Sequence, residues 1–245
     1  MTTLVTGAAG FVGRHVAARI AGAVPLTRAD ADLRAALPSL PRVDTVIHCA
    51  AEIDDQSAMQ ETNVGGTERL VTWARGTGVR TFVFISTGGI HLANRYAETK
   101  REAEQIVLAA HNALDVHVAR LFFPYGPGQS SERLIPRLIA RVRSGQPITI
   151  GADGGPALSL TYISDVVEAI VRIAVLQGSH VVDVGGLAVT MREIATVIGT
   201  LAAVPPVFAI GGRSSDLVAD RATLAKLTGF SPSIPIEEGL RSCVD

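Results

Sequence analysis

The chain has 245 residues, 47% of them hydrophobic, and a formal net charge of -1, enough for one large domain with a substantial core or a domain with a smaller lobe. So even a charge balance carries no electrostatic footprint for nucleic acid or an anionic membrane surface, which leaves a small molecule as the expected partner. Two cysteines, Cys49 and Cys243, are too few for a disulfide framework.

Met1 to Val5 run straight into a glycine turn without a basic leader, and no stretch reaches membrane-spanning length; with a thiol at Cys49 inside an apolar run, the expected compartment is cytoplasmic. The first strand, Leu4 to Thr6, ends in Gly7-Ala8-Ala9-Gly10-Phe11-Val12-Gly13, and helical spacing begins at once, over Val12 to Ala21. Gly7 and Gly10 leave room for a pyrophosphate against main-chain amides, the following helix turns its N-terminus to the anion, and Gly13 lets helix and strand pack closely.

A second strand, Ala23 to Leu26, is followed by Thr27-Arg28, where dinucleotide folds commonly carry an acid for the ribose hydroxyls. Thr27 with Arg28 suits a 2′-phosphate instead, which leans towards NADP over NAD, although a solvated loop arginine explains Arg28 equally well. Asp32 and Leu33 either border the adenine or, in the case of Asp32, cap the next helix. Further apolar strands, Thr45 to Cys49, Thr81 to Ile85 and Val116 to Phe122, alternate with helical patterns over Asn63 to Arg75 and Tyr96 to Asn112. Strand, helix, strand in order predicts a doubly wound parallel α/β sheet of the Rossmann type.

Tyr96 stands four residues before Lys100, one of only two lysines in the chain. On a helix the two share a face, so the Lys100 ammonium can hold a cofactor ribose while its charge favours the phenolate of Tyr96, and a phenol so tuned can exchange a proton with a carbinol oxygen. After Phe123 the texture changes to prolines, glycines and short elements, with helical spacing over Leu134 to Arg143, Asp165 to Leu176 and Met191 to Leu201 and a buried strand over Ser179 to Val184. The predicted division is a dinucleotide-binding domain over 1–123, joined again by 158–185, and a smaller substrate lobe from 124–157 and 186–245.

These motifs, in this order, resemble the extended short-chain dehydrogenase/reductase family, the NAD-dependent epimerase/dehydratase group. The resemblance covers the glycine turn, Asp44 to Ala51, Asn63 to Thr67, Phe84 to Thr87, Tyr96 to Lys100, Arg120 with Tyr125 to Gly128, Tyr162 to Val166, Val184 to Gly186, and Arg213 with Asp216. It implies Thr87, Tyr96 and Lys100 as the catalytic trio, with Ser86 as support, and an NAD(P) wall that includes Ala50, Ala51, Asn63 and Phe122. Asn63 could equally cap the helix that follows it, and Ala50 and Ala51 could simply fill the core.

On the substrate side the resemblance implies Arg213 as a phosphate contact or as one half of an ion pair with Asp216. Glu52, Asp54 and Asp55 lie where substrate loops begin, or form a solvated acidic turn. Members that carry out a 4,6-dehydration follow the catalytic threonine with Asp-Glu, whereas Gly88-Gly89 stand here, which argues against a dehydratase. Nucleotide-sugar members hold the substrate diphosphate with an asparagine and an arginine where this chain has Phe123 and Leu158, so an apolar lining from Phe122, Phe123 and Leu158 is expected.

The expected activity is hydride transfer at a secondary alcohol or ketone carbon of a sugar, nucleotide sugar or related metabolite, with ketone reduction ahead of epimerisation. A dinucleotide sensor without chemistry is the rival class. No metal site is expected. Leu70, Trp73, Ile106 and Ala110 on two of the helices imply, through the family, a homodimer.

Overall fold

The computed structural model describes residues 2–212 and 215–244. Its centre is a six-stranded sheet in which every neighbouring pair is parallel, in the order β2-β1-β3-β4-β5-β10. The strands are β1 (Thr3–Thr6), β2 (Val24–Leu26), β3 (Thr45–His48), β4 (Thr81–Thr87) and β5 (Asp115–Leu121). The last, β10 (His180–Val184), returns from the far part of the chain to pair with β5. Helices α1 (Phe11–Arg19), α2 (Gln56–Met59), α3 (Gly66–Thr77) and α4 (Arg95–Leu108) connect the strands, and a six-residue π-helical turn, Gln60–Gly65, joins α2 to α3.

This is the doubly wound Rossmann arrangement. Both faces are covered, so β1, β3 and β4 are almost wholly buried and read as continuous apolar runs. One core layer packs Leu70, Val71, Phe82, Ala103 and Val107 under α3 and α4, and the other packs Val16, Val166 and Ile170 under α1 and a later helix, α6 (Ile163–Ile173). The chain leaves β1 in one direction to reach β2 and in the other to reach β3. A crevice therefore opens beyond the carboxyl ends of β1 and β3, where such sheets bind ligands.

The smaller lobe is made of β6 (Pro124–Tyr125), α5 (Leu134–Arg143), β7 (Ile148–Ile150), β8 (Ala157–Ser159) and β9 (Thr161–Tyr162), followed after β10 by β11 (Ala188–Thr190), α7 (Met191–Ala202), β12 (Phe208–Ile210) and α9 (Ile236–Val244). Three two-stranded sheets, β6-β9, β8-β11 and β7-β12, flank a core that includes Ile135, Leu158, Ile194 and Leu240. Helix α6 (Ile163–Ile173) and α8 (Arg221–Thr228) lie on the large sheet, and Leu224 of α8 is part of the core layer under α1 and α6. Among the described residues no helix is long and apolar enough to cross a membrane.

Asp165 fastens the chain's last segment to this scaffold. Its buried carboxylate accepts the backbone N–H groups of Ser233 (2.7 Å) and Ile234 (2.9 Å). Asp165→Ala leaves both donors without a partner, so the unfolding free energy should fall by about 3 kcal/mol in a denaturant titration. Dinucleotide affinity should stay as it was, because the carboxylate is engaged by the backbone of residues 233 and 234 and Asp165 lines neither cavity at the glycine turn.

Candidate active site

Gly7 turns the chain out of β1 with φ +65°, and a Cβ there would stand 2.6 Å from the Ala50 nitrogen, so only glycine lets β1 and the end of β3 approach this closely. Gly10 is the N-cap of α1 and supplies no side-chain cap, which leaves the first N–H groups of a nine-residue helix directed at the crevice.

A chain of hydrogen bonds behind the turn fixes the wall. The Ala50 N–H donates to Thr6 Oγ1 (3.3 Å), and Thr6 Oγ1 lies 2.7 Å from His48 Nδ1. His48 Nε2 lies 3.0 Å from Thr67 Oγ1, which donates to the Asn63 carbonyl (2.6 Å). Since the Thr67 proton is committed to Asn63, Nε2 must be the donor and Nδ1 the acceptor. Burial, followed by the Lys100 charge, pulls His48 down to about 3, so the ring stays neutral and the chain of donors keeps one direction at physiological pH.

Two cavities meet at this turn, and Gly10, Cys49 and Ala51 line both. The smaller, about 200 Å³, is bounded by Gly7, Arg28, Asp32, Leu33, Ala50 and Glu52. The larger, about 500 Å³, is bounded by Phe11, Val12, Gly13, Ser86, Thr87 and Tyr96, with Phe122 and Phe123 behind. A molecule with two arms joined at a pyrophosphate fits this pair of spaces astride the helix N-terminus. Thr62 also lines the smaller cavity, and its hydroxyl is buried without a hydrogen-bond partner among the described residues.

The sequence-predicted residues divide as follows. Thr87 and Tyr96 share the larger cavity, and Thr87 Oγ1 accepts the Gly89 N–H at 3.1 Å, which orients its hydroxyl. Helix α4 presents Tyr96 from its first turn because Asn94 caps it, accepting the Ala97 N–H at 2.9 Å. Arg101 Nη1 donates to the Ile90 carbonyl (2.5 Å) and pins the short 88–94 connection down. Lys100 lies one turn deeper and is 1% exposed, its Nζ 4.0 Å from the centroid of Phe84.

Ser86 lines the larger cavity, yet its hydroxyl donates to Glu104 Oε1 at 2.6 Å. Glu104 in turn takes a bidentate pair of bonds from Arg120 at 3.0 and 2.7 Å. Asn63 lines neither cavity. Its amide accepts the Glu52 N–H (2.7 Å) and donates to the Glu52 carbonyl (2.9 Å) and to Thr99 Oγ1 (3.1 Å), so it staples the segment after β3 to α4 from behind and is no cap.

Glu52 lines the smaller cavity and not the larger one. One carboxylate oxygen accepts the N–H groups of Ile53, Asp54 and Asp55, and the other faces Arg28 at 3.8 Å. Asp32 is paired with Arg34 at 2.6 Å, and Thr27 donates to Asp30 (2.7 Å). Arg213 lies outside the described residues. Leu158 is buried inside the smaller lobe, 4% exposed, and does not line the cavity.

The electrostatics of the pair differ from the expectation. Burial pushes the Tyr96 phenol up to about 12, and the charge that opposes this is Arg133 rather than Lys100. Lys100 is itself drawn down to about 7 by burial, against the pull of the Glu104 carboxylate one turn on. Desolvation outweighs the pull of Arg133, so the resting phenol is a neutral proton donor. Cys49 is also pushed up by burial, to about 12, and is no nucleophile. Among the described residues no group of three or more His, Cys, Asp or Glu could hold a metal ion.

Sequence reasoning missed Thr62 and Arg133, and it missed Ile53, Leu92 and Leu217 on the larger cavity. Arg133 sits immediately before the strongly amphipathic α5, which was the one available signal for it.

A doubly wound sheet with a glycine turn at its switch point and a Thr-Tyr-Lys group beside it defines a dinucleotide-dependent oxidoreductase or epimerase. Residues 3–185 match the NAD dependent epimerase/dehydratase family, and the chain belongs to it. It is 28% identical to a dTDP-glucose 4,6-dehydratase of Streptomyces griseus, in an alignment covering 100% of this chain and 94% of that protein. That alignment runs to 307 positions, so the relative carries residues this shorter chain does not have.

A UDP-glucuronate 4-epimerase of Thermodesulfobacterium geofontis is 26% identical over 83% of this chain and 72% of its own length. Among solved structures, MoeE5 in complex with UDP-glucuronic acid and NAD superposes with a TM-score of 0.83 at 26% identity, covering 99% of this chain and 97% of that one. RMD from Pseudomonas aeruginosa, complexed with NADPH, gives 0.81 at 27% identity, covering 99% and 97%.

Proposed function

We propose that the protein transfers a hydride between the nicotinamide of NAD(P) and a secondary carbinol or ketone carbon of a sugar or nucleotide sugar, with Tyr96 moving the proton. The observation that carries this reading is the convergence of Tyr96, Thr87 and the Gly10–Gly13 turn on one cavity. The dinucleotide supplies the hydride-exchanging carbon. Thr87 and Tyr96 aim two hydroxyls at the substrate oxygen, and each such donor lowers the barrier by a few kcal/mol, roughly 3. Phe122, Phe123 and Leu92 keep water off the reacting carbon.

Ketone reduction is the direction favoured by a phenol that is neutral at rest and ready to donate its proton. Epimerisation is the second reading, supported by the similarity to the Thermodesulfobacterium enzyme. Dehydration is disfavoured by packing as well as by sequence: a Cβ at residue 88 would come within 2.5 Å of the Phe122 ring, so an acid could not stand there without displacing the wall.

NADP over NAD rests on Thr27 and Arg28; the Thr27 hydroxyl is engaged by Asp30, and Glu52 beside Arg28 works against a 2′-phosphate. A ribose 2′-hydroxyl could donate to that carboxylate, so we favour NAD as the resident form. A homodimer through α3 and α4 belongs to the same proposal. Leu70 and Ala110 are already buried within the protomer, which leaves Trp73 and Ile106 for the partner.

The reaction is tested by incubating the purified protein with a panel of nucleotide sugars and their 4-keto derivatives and following both the dinucleotide and the sugar. Net oxidation of NADH or NADPH with a keto sugar supports reduction. Inversion of a carbinol centre without net redox change supports epimerisation, and neither change with any member of the panel would sink the proposal.

A further inference from the structure

Among the described residues lining the larger cavity, Arg133 is the only one with a charged side chain. The lining it shares is mostly apolar, including Ile53, Leu92, Phe123 and Leu217, with polar Gln129 and Ser130 also present, so the guanidinium is the one charge in that space. Arg133 Nη2 bonds to both oxygens of Asp54, at 3.0 and 2.8 Å, and the pair ties the loop after β3 to the start of α5.

This bond is built to exchange. The Asp54 side chain is 75% exposed and that of Arg133 is 32% exposed, so water competes for the carboxylate and the pair contributes little to stability. The Asp54 contacts engage one terminal nitrogen. That nitrogen, Nη2, belongs to both bidentate edges of the guanidinium, whereas Nε and Nη1 have no hydrogen-bond partner among the described residues, so an incoming oxygen pair completes a fork by displacing Asp54 from Nη2. The same charge acts on the Tyr96 phenol, so it lies within reach of the reacting centre.

We infer that Arg133 is the substrate's anion ligand, with Asp54 as its placeholder. The molecule transformed beside Tyr96 carries a carboxylate or phosphate oxygen pair that takes the guanidinium over as it enters the cavity. The inference rests on the proposed reaction only in placing the reacting carbon next to Tyr96. It selects, from the substrates that reaction allows, those with an apolar-walled reacting part and a negative group beside it.

The test is calorimetric titration of the NAD-loaded protein with UDP-glucuronate and with UDP-glucose, in wild type, Arg133→Gln and Asp54→Asn. Arg133→Gln should weaken binding by about tenfold, as expected for losing a hydrogen-bonded charge. Asp54→Asn should tighten it by about two- to fivefold, because an exposed competing carboxylate has gone. A loss confined to UDP-glucuronate identifies a carboxylate as the group held, and an equal loss for both identifies phosphate.

The inference is overturned if Arg133→Gln binds both molecules within about twofold of wild type, if Asp54→Asn weakens binding, or if the wild-type protein binds neither. Arg133 is a partly exposed residue at a helix start, so folding is not at stake, and an unchanged melting temperature checks this. Calorimetry reads binding alone. Turnover that survived without the Tyr96 hydroxyl would therefore refute the proposed chemistry and leave this result standing.

Discussion

Tyr96→Phe should lower turnover by roughly 10²–10⁴-fold while dinucleotide affinity stays within about twofold of wild type. The ring keeps its place in the cavity wall and only the hydroxyl is removed, so any loss in rate belongs to proton transfer and to stabilisation of the substrate oxygen. Because burial holds the phenol up at about 12, reduction, which needs the protonated form, should show no loss from Tyr96 ionisation through the neutral range. The oxidative direction needs the phenolate, so its rate should climb with pH throughout the range below that value. Steady-state rates in both directions, with a separate fluorescence titration of NADH, check the prediction. A variant that keeps wild-type turnover, or that loses dinucleotide binding in proportion to rate, would show that the tyrosine serves another purpose.

Lys100→Met should abolish turnover and at the same time stabilise the fold. The Lys100 side chain is buried against Phe84, and burial lowers its pKa from the ordinary 10.5 to about 7. Between those two values the unfolded chain holds a proton that the folded chain has released, so wild-type stability rises with pH across that window. Below about 7 both states are protonated and the full penalty, on the order of a few kcal/mol, is present. Methionine fills a similar volume without a charge to desolvate. The gain in melting temperature should therefore be greatest at and below neutral pH and should vanish above the ordinary lysine pKa. Calorimetric melts of both proteins over that range provide the measurement. A variant less stable than wild type at pH 7 would mean that the ammonium is well satisfied where it sits. Such a residue, costly to the fold and needed at the site, is the pattern expected of catalytic machinery.

The sheet was open to reading because burial on both faces leaves its strands as uninterrupted apolar runs, and the turn at Gly7 because only glycine fits against Ala50. Tyr96 and Lys100 could be found because helical spacing alone stacks them. The π-helical turn was not legible: the pattern reads as one helix starting near Asn63, whereas Asp55 caps α2 by accepting the Ser57 N–H and the widened turn at 60–65 then rotates Asn63 inward.

Nothing local in the sequence says that Asp54 and Arg133, 79 positions apart, will pair. Nor could spacing reveal that desolvation would set the Tyr96 phenol, since that depends on how much protein closes over it. The same holds for Phe123. Its backbone adopts φ +38°, a left-handed conformation that asparagine takes more readily than phenylalanine. A phenylalanine at this position thus carries backbone strain that composition does not announce.

The account depends on where the phenolic oxygen lies when substrate and dinucleotide are both bound. A crystal structure of that ternary complex, prepared with the Tyr96→Phe variant to halt turnover, locates the reacting carbon, and the wild-type hydroxyl position follows by superposition. The expected result places that oxygen about 2.6–3.2 Å from the substrate oxygen and the nicotinamide carbon about 3–3.5 Å from the substrate carbon. A complex in which the substrate oxygen points away from residues 87 and 96 would contradict the account.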